Sequence, residues 1–405
     1  MTATEPVKDW ATDYDLFAHQ YVVDPYPIWA ELRGTCPVAH TDRMGGSWLP
    51  TRYEDVCAFA RAPEAFSSRS VTVFPPVDDP SGAYNQVGAP PITSDPPEHT
   101  WARRLILPAF SPRMVESYEP ITRDLCRRLV NGFIEHGHAD AASDYAQQIP
   151  VRIIGQMLGV PLDMSDTFVG WVRGILELGA TDIDVRLAAR RGLIEFLIGQ
   201  IEKRRVEPTD DLISQLMAAE VDGERVSPAH IIGTCFLLVV AGIDTTWSSI
   251  GSSLWHLATH PEDRRRLVAE PELIPTAVEE LLRAYSPVTM ARVANADIDF
   301  AGVRIGEGDR IILNFPAANR DPEVFEHPDE VIIDRQHNRH VAFGAGIHRC
   351  AGSNLARMEL RVAIEEWLAR IPEFELVEGA EVTWAGGQVR GPRQCPVAWP
   401  TSLRA

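Results

Sequence analysis

The stretch Phe343-Gly344-Ala345-Gly346-Ile347-His348-Arg349-Cys350-Ala351-Gly352 constrains this chain more than any other. It puts one cysteine in a loop with three glycines, with two potential cations just before the thiol. Behind it, residues 354–370 carry apolar side chains at Leu355, Met358, Val362, Ile364 and Leu368, roughly one face of a helix. Cys350 therefore lies just before or at a helix N-terminus, where unpaired backbone N–H groups and the helix dipole favour an anionic sulfur. Gly344 and Gly346 let the backbone fold tightly and approach a bulky partner without a Cβ. His348 and Arg349 supply donors near the sulfur. A lone cysteine is otherwise a small buried hydrophobe, so the weight rests on the pattern around it.

A second stretch is as informative. Ser227-Pro228 reads as a helix start, a serine cap followed by proline at the first position. The helix it opens can run to about His260, before Pro261. That is over thirty residues, or roughly 48 Å at 1.5 Å each. Its centre is apolar almost all round, which means burial. Into that centre the sequence places Ala241-Gly242-Ile243-Asp244-Thr245-Thr246. A carboxylate there is costly unless paired. Gly242 weakens the helix by about 1 kcal/mol relative to alanine, and a nearby hydroxyl can take over a freed backbone bond, so a kink is expected at Gly242.

Two charged pairs sit on other helical stretches. Asp95-Pro96-Pro97 is a helix-start signal, and His99 and Arg103, four apart, share a face and can hold one anion together. In Thr276–Ala284, Glu280 and Arg283 are three apart and face each other; an exposed pair would add only a few tenths of a kcal/mol. Ser286 to Arg292 leads into a strand, residues 297–313 read as strands with turns at Gly302 and Gly306–Gly308, and residues 319–334 as a meander. The Pro-, Gly- and Asp-rich stretch 71–93 is a long loop of the functional kind, with Phe74 and Tyr84 as candidate contacts. Trp48 and Tyr53 are expected in the core.

Composition narrows the class. A chain of 405 residues with 45% apolar side chains can build a large core, and a net charge of −19 argues against nucleic-acid binding. Six scattered cysteines without a CxxC pair argue against a zinc site. The N-terminus lacks a signal peptide's basic and apolar regions. The longest apolar run, 231–243, is too short to span a bilayer. A cytoplasmic, membrane-free, monomeric protein forming one unit over 1–405 is expected.

The cysteine loop resembles that of the cytochrome P-450 family, Phe-Gly-x-Gly-x-His/Arg-x-Cys-x-Gly, with every fixed position filled. The Ala241–Thr246 stretch is similar to the family's oxygen-binding motif, and the His99/Arg103 helix and the Glu280/Arg283 pair follow in the family's order. The resemblance implies a mainly α fold with small β-sheets, a triangular prism with haem b between the long central helix and the cysteine helix. It implies Cys350 as the axial iron ligand, with Phe343, Gly344, His348 and Gly352 around it. His99, Arg103 and Arg292 would hold the haem propionates. Ala241 and Gly242 would leave room for oxygen, Thr245 would hydrogen-bond it, and Asp244 would relay protons from water. Pro287–Met290 would line the pocket, and the turn within 386–393 would touch substrate.

The activity implied is mono-oxygenation of a small, mostly apolar organic substrate, using O₂, two electrons and two protons. Peroxide-driven oxidation on the same haem and non-catalytic gas sensing are the alternatives, and Asp244-Thr245 counts against both. Electrons would come from a ferredoxin or flavoprotein, an NAD(P)H-dependent flavin/iron–sulfur reductase that is separate or fused C-terminally, as in self-sufficient bacterial members. Arg103, Arg104, Arg113, Arg339, Arg349 and Arg357 are its expected docking cations. Arg335 departs from the family's usual spacing and is given no role.

Overall fold

Ser227 does cap the longest element: its side chain accepts from the backbone N–H of His230 at 3.3 Å. The central helix then runs without interruption from Pro228 to Thr259, 32 residues, in the computed structural model, which describes residues 5–74 and 87–401. By length and composition this whole helix could cross a membrane, unlike the 231–243 run alone. However, 67% of its most apolar window is buried inside the protein. Its apolarity is that of a core.

Other helices wrap it. In chain order they are α1 (Glu98–Ile106), α2 (Pro112–Phe133), α3 (Gln148–Leu158), α4 (Ser165–Leu176), α5 (Ile183–Val206) and α6 (Ile274–Ala284), followed by the cysteine helix (Ser353–Leu368). The central helix packs on α3, α4, α5, α6 and the cysteine helix, and the cysteine helix also lies against α2 and α6. Buried apolar side chains such as Ile154, Leu197, Ile250, Leu254 and Trp367 fill the spaces between them.

Three hydroxyls of the central helix are satisfied within the helix itself. Thr245, Ser249 and Ser253 each donate a hydroxyl to the carbonyl four residues back, on Ala241, Thr245 and Ser249, at 2.7, 2.8 and 2.8 Å. Such back-bonding discharges hydroxyls in an apolar setting without breaking the helix. The helical hydrogen-bond pattern runs unbroken through Gly242. The glycine also answers a packing need: a Cβ there would sit 2.5 Å from Ile154 Cδ1 of α3.

Strands are short. The largest sheet holds β1 (Val38–Thr41), β2 (Ser47–Pro50), β3 (Phe66–Ser67), β4 (Met290–Ala294) and β5 (Arg310–Leu313), in the order β1-β2-β5-β4-β3. It is antiparallel except where β5 meets β2. Trp48 and Tyr53 are half-buried around it, bonding Asp309 and the Arg339 carbonyl, rather than core. Near the far end of the chain, β6 (Thr383–Ala385) pairs with β7 (Gly391–Gln394). The left-handed turn between them falls at Gly387, φ +78°.

The Glu280–Arg283 pair is not a surface feature. Both side chains are fully buried on α6, forked at 2.8 Å twice. Arg335 completes the group, its Nε 2.9 Å from Glu280. Arg283 also donates to the carbonyls of Asn319, Pro328 and Glu330. The meander thus closes over α6 through three ionic side chains, so Arg335 does have a structural role.

Candidate active site

The cysteine loop is shaped by two backbone bonds. Gly344 N–H donates to the Val341 carbonyl, and Cys350 N–H donates to the Phe343 carbonyl, each at 2.8 Å. Gly344 and Gly346 take φ +73° and +71°, where a side chain is strained. At Gly346 a Cβ would also collide with the Ala60 carbonyl oxygen. The cysteine helix starts three residues beyond the thiol, at Ser353. Cys350 stays exposed while Ala345 and Ser353 beside it are buried. Burial of the surrounding loop pushes the thiol pKa up. The Gly352 N–H and the charges of Arg103, Arg349 and Arg357 pull toward the thiolate.

Four basic side chains gather next to this loop. His99 and Arg103 lie on α1, Arg292 on β4 and His348 in the loop itself. The rings of His99 and His348 meet edge to face, 4.4 Å between centroids. Arg103 donates to the Arg349 carbonyl at 2.5 Å, tying α1 to the cysteine loop. Arg292 is buried, and burial pushes its guanidinium down to about 10 against the pull of Asp95. His348 is pushed down to about 3 by burial and by Arg292, His99 and Arg103. His99 shifts down for the same reasons, and its buried Nε2 has no hydrogen-bond partner.

One expectation about this cluster changes. His348 does not turn to the sulfur; its Nε2 lies 2.8 Å from Ser68 Oγ. The Asp95-Pro96-Pro97 signal does precede a helix, α1, with Pro97 at its cap position, while the Asp95 side chain accepts from Ser67 Oγ and Ser68 N–H at 2.5 and 2.9 Å. It is a carboxylate beside four basic groups. A donor set of this kind, with an orphaned imidazole nitrogen in it, matches a ligand bearing two carboxylates. An exposed thiol at a helix start matches iron. The residues present therefore fit haem, with its two propionates.

On the central helix, Thr245 is half-buried and Asp244 fully buried. Asp244 does not meet water here. Arg393 of β7 holds both its oxygens, at 2.9 and 3.1 Å, and Ser248 adds a longer bond at 3.3 Å. Burial nonetheless pushes the Asp244 carboxyl above its ordinary range, with Arg393 pulling the other way. Arg393 lies 4.2 Å over the Trp247 ring and also bonds Glu177, just past α4, at 2.8 Å. Arg173 forks onto the same Glu177. Burial would raise the Glu177 carboxyl, but Arg173 and Arg393 hold it below its usual range. Sequence reading placed residue 393 in a substrate turn and missed Glu177. The single legible signal was a buried carboxylate that had to find a cation.

Of the arginines expected to dock a donor, Arg104, Arg113, Arg339 and Arg349 are exposed. Arg103 and Arg357 are half-buried, and Arg357 forks onto Glu279 at 2.6 and 2.9 Å. Among the candidate substrate contacts, Phe74 is buried under the Arg186 guanidinium, and Tyr84 lies outside the described residues.

Known proteins share this arrangement of chain. A family model described as Cytochrome P450 matches residues 151–378. Mycinamicin IV hydroxylase/epoxidase of Micromonospora griseorubida is 36% identical over 380 residues, 92% of this chain and 94% of that protein. Vitamin D(3) 25-hydroxylase of Pseudonocardia autotrophica is 36% identical over 390 residues, covering 95% and 96%. The crystal structure of the LnmA cytochrome P450 hydroxylase of Streptomyces atroolivaceus superposes with a TM-score of 0.80 at 35% identity, covering 92% of this chain and 96% of that one. With the fold, the cysteine loop and the relatives agreeing over nearly the whole chain, the protein belongs to the cytochrome P450 family and is a haem-thiolate monooxygenase that uses O₂, an organic substrate and a redox partner.

Proposed function

We propose that Cys350 is the axial thiolate, with haem b lying between the cysteine helix and the central helix, and that the chain acts as one cytoplasmic unit over 1–405. The observation that carries this is the exposed thiol next to four basic groups and an unsatisfied imidazole nitrogen. His99, Arg103 and Arg292 bind the two propionates, and His348 supports them through its contact with the His99 ring. Phe343, Gly344 and Gly352 shape the thiolate side, and Ala241 and Gly242 the oxygen side. Bound haem would supply the activation of O₂, inserting one oxygen atom into an unactivated bond while two electrons and two protons carry the other off as water.

The chain's own part is to exclude water and meter protons. Thr245 Oγ1 donates to the Ala241 carbonyl at rest and can turn its proton inward. Asp244 takes up a proton when Arg393 shifts its hold toward Glu177, because burial then favours the neutral acid. The salt bridge makes proton delivery conditional rather than open to water at all times. An intact acid–hydroxyl pair favours O₂ over peroxide as oxidant. The substrate is a small, mostly apolar organic molecule. Electrons come from an NAD(P)H-dependent flavin/iron–sulfur reductase, separate or fused.

The carbon monoxide difference spectrum of the reduced protein tests the assignment. A strongly red-shifted Soret band that Cys350→His abolishes is expected. A band typical of histidine-ligated haem in the unsubstituted protein would overturn it.

A further inference from the structure

One residue before the buried Glu280, a second ionic group forms that the proposed chemistry does not use. Glu279 of α6 receives a fork from Arg357, in the second turn of the cysteine helix: Nε to Oε1 at 2.6 Å and Nη2 to Oε2 at 2.9 Å. The same Oε2 lies 3.0 Å from His340 Nε2. His340 Nδ1 accepts from the Ala342 N–H at 3.2 Å. An acceptor Nδ1 puts the proton on Nε2, so His340 donates to Glu279. The group is therefore complete, with each donor aimed at the one carboxylate.

What the group grips is Phe343. The Arg357 guanidinium lies 4.4 Å over the Phe343 ring, and the His340 ring lies 6.0 Å from it on a neighbouring side. The carbonyl of Phe343 accepts the N–H of Cys350 at 2.8 Å. One residue thus joins the ionic group to the thiolate loop through a single backbone hydrogen bond. Arg357 is also one of three arginine charges acting on the thiol. Glu279 neutralises Arg357 and so sets how much positive charge the sulfur feels.

We propose that Glu279, His340 and Arg357 are positioning residues that fix the Phe343–Cys350 hydrogen bond and, through the balance of Glu279 against Arg357, set the reduction potential of the bound haem. The proposal rests on Cys350 being the axial ligand. The physical reason is a sign argument. Reduction adds an electron next to the thiolate, so extra positive charge there favours the reduced state and its loss disfavours it. Both carboxylate and guanidinium are about 30% exposed, so water screens the effect but does not abolish it.

The test is a spectroelectrochemical titration of the haem-loaded protein. Glu279→Gln, which keeps shape and leaves Arg357 unneutralised, is expected to raise the midpoint potential. Arg357→Met is expected to lower it, and the double variant to return toward the unsubstituted value. Arg357→Lys keeps the charge but loses the fork and the flat stacking, so its potential should stay close while haem retention on heating falls. Shifts of the same sign in Glu279→Gln and Arg357→Met, or no shift in Glu279→Gln, would overturn the proposal. If Arg357→Met does not retain haem, the Glu279→Gln result decides alone. The carbon monoxide spectrum of the unsubstituted protein is read first. A non-thiolate band there defeats the ligand assignment, whereas a thiolate band with unmoved potentials defeats only the charge balance.

Discussion

Glu359, on the cysteine helix, shows how a single residue can carry a pH dependence for the protein. It is 1% exposed, and its Oε2 has no hydrogen-bond partner in the structure. Burial pushes its carboxyl from an ordinary 4.5 up to about 8. A raised carboxyl means the folded protein holds a proton that the unfolded chain gives up. Its stabilising contribution is complete below about 4.5 and is lost as pH rises to about 8. Glu359→Gln, which cannot ionise, should therefore gain on the unsubstituted protein by a few kcal/mol across that window and hold a constant lead above it. Apparent urea midpoints of the two proteins at several pH values check this; parallel curves would show that Glu359 finds a partner. Cys350 among its glycines and the His99–Arg103 pair were each legible at this scale from spacing within their own stretch, and only the family resemblance joined the two stretches. Glu359 was not, because nothing in its neighbours along the chain announces a missing partner.

At the scale of elements, the decisive joint is between the central helix and β7. Asp244 and Arg393 are 149 residues apart, and no periodicity connects them. Sequence reading found the central helix to within a residue at each end, since its serine cap and bounding prolines are local signals. It could not see that Gly242 packs against the Ile154 side chain of α3, because that contact lies across a helix interface. The Arg335 contact was hidden in the same way, by a meander whose path only packing decides. For the joint itself, Arg393→Met strands a buried carboxylate and should cost about 3–5 kcal/mol. Asp244→Asn in the same chain removes the stranded charge and should recover a large part of that. A thermodynamic cycle over the two single variants and the double one measures the coupling. Additive losses would mean that the two side chains are held independently of each other.

The whole molecule carries a net charge of −19, so its exposed cations lie on a mostly acidic surface. Arg104 on α1, Arg113 at the start of α2, Arg339 before the cysteine loop and Arg349 within it are exposed. An acidic donor would be repelled by most of the surface and drawn to these arginines. Arg113→Glu, exposed and outside the propionate cluster, should slow reduction by an acidic donor by about tenfold at low salt. The difference should shrink as salt screens it. Stopped-flow reduction at two ionic strengths reads this directly, and an unchanged rate at low salt would move the docking site elsewhere. The fold as a whole was legible in the order of its motifs; the split of its cations between surface and interior was not. Arg357 and Arg113 look alike in sequence, and only Glu279 makes one of them structural.

Arg393 enters the molecule late. A ribosome makes the central helix well over a hundred residues before it makes β7, so for that interval Asp244 has no Arg393 to pair with. A buried carboxylate without a cation is costly, which leaves two courses for the growing chain. The middle of the helix can stay wet, or Asp244 can fold in as the neutral acid and give up its proton when the arginine arrives. In either course the helix cannot reach its final state in the order in which it is made. Synthesis itself then passes through this carboxylate, and a nascent chain stopped short of β7 would carry its weakest point at the centre of its longest helix.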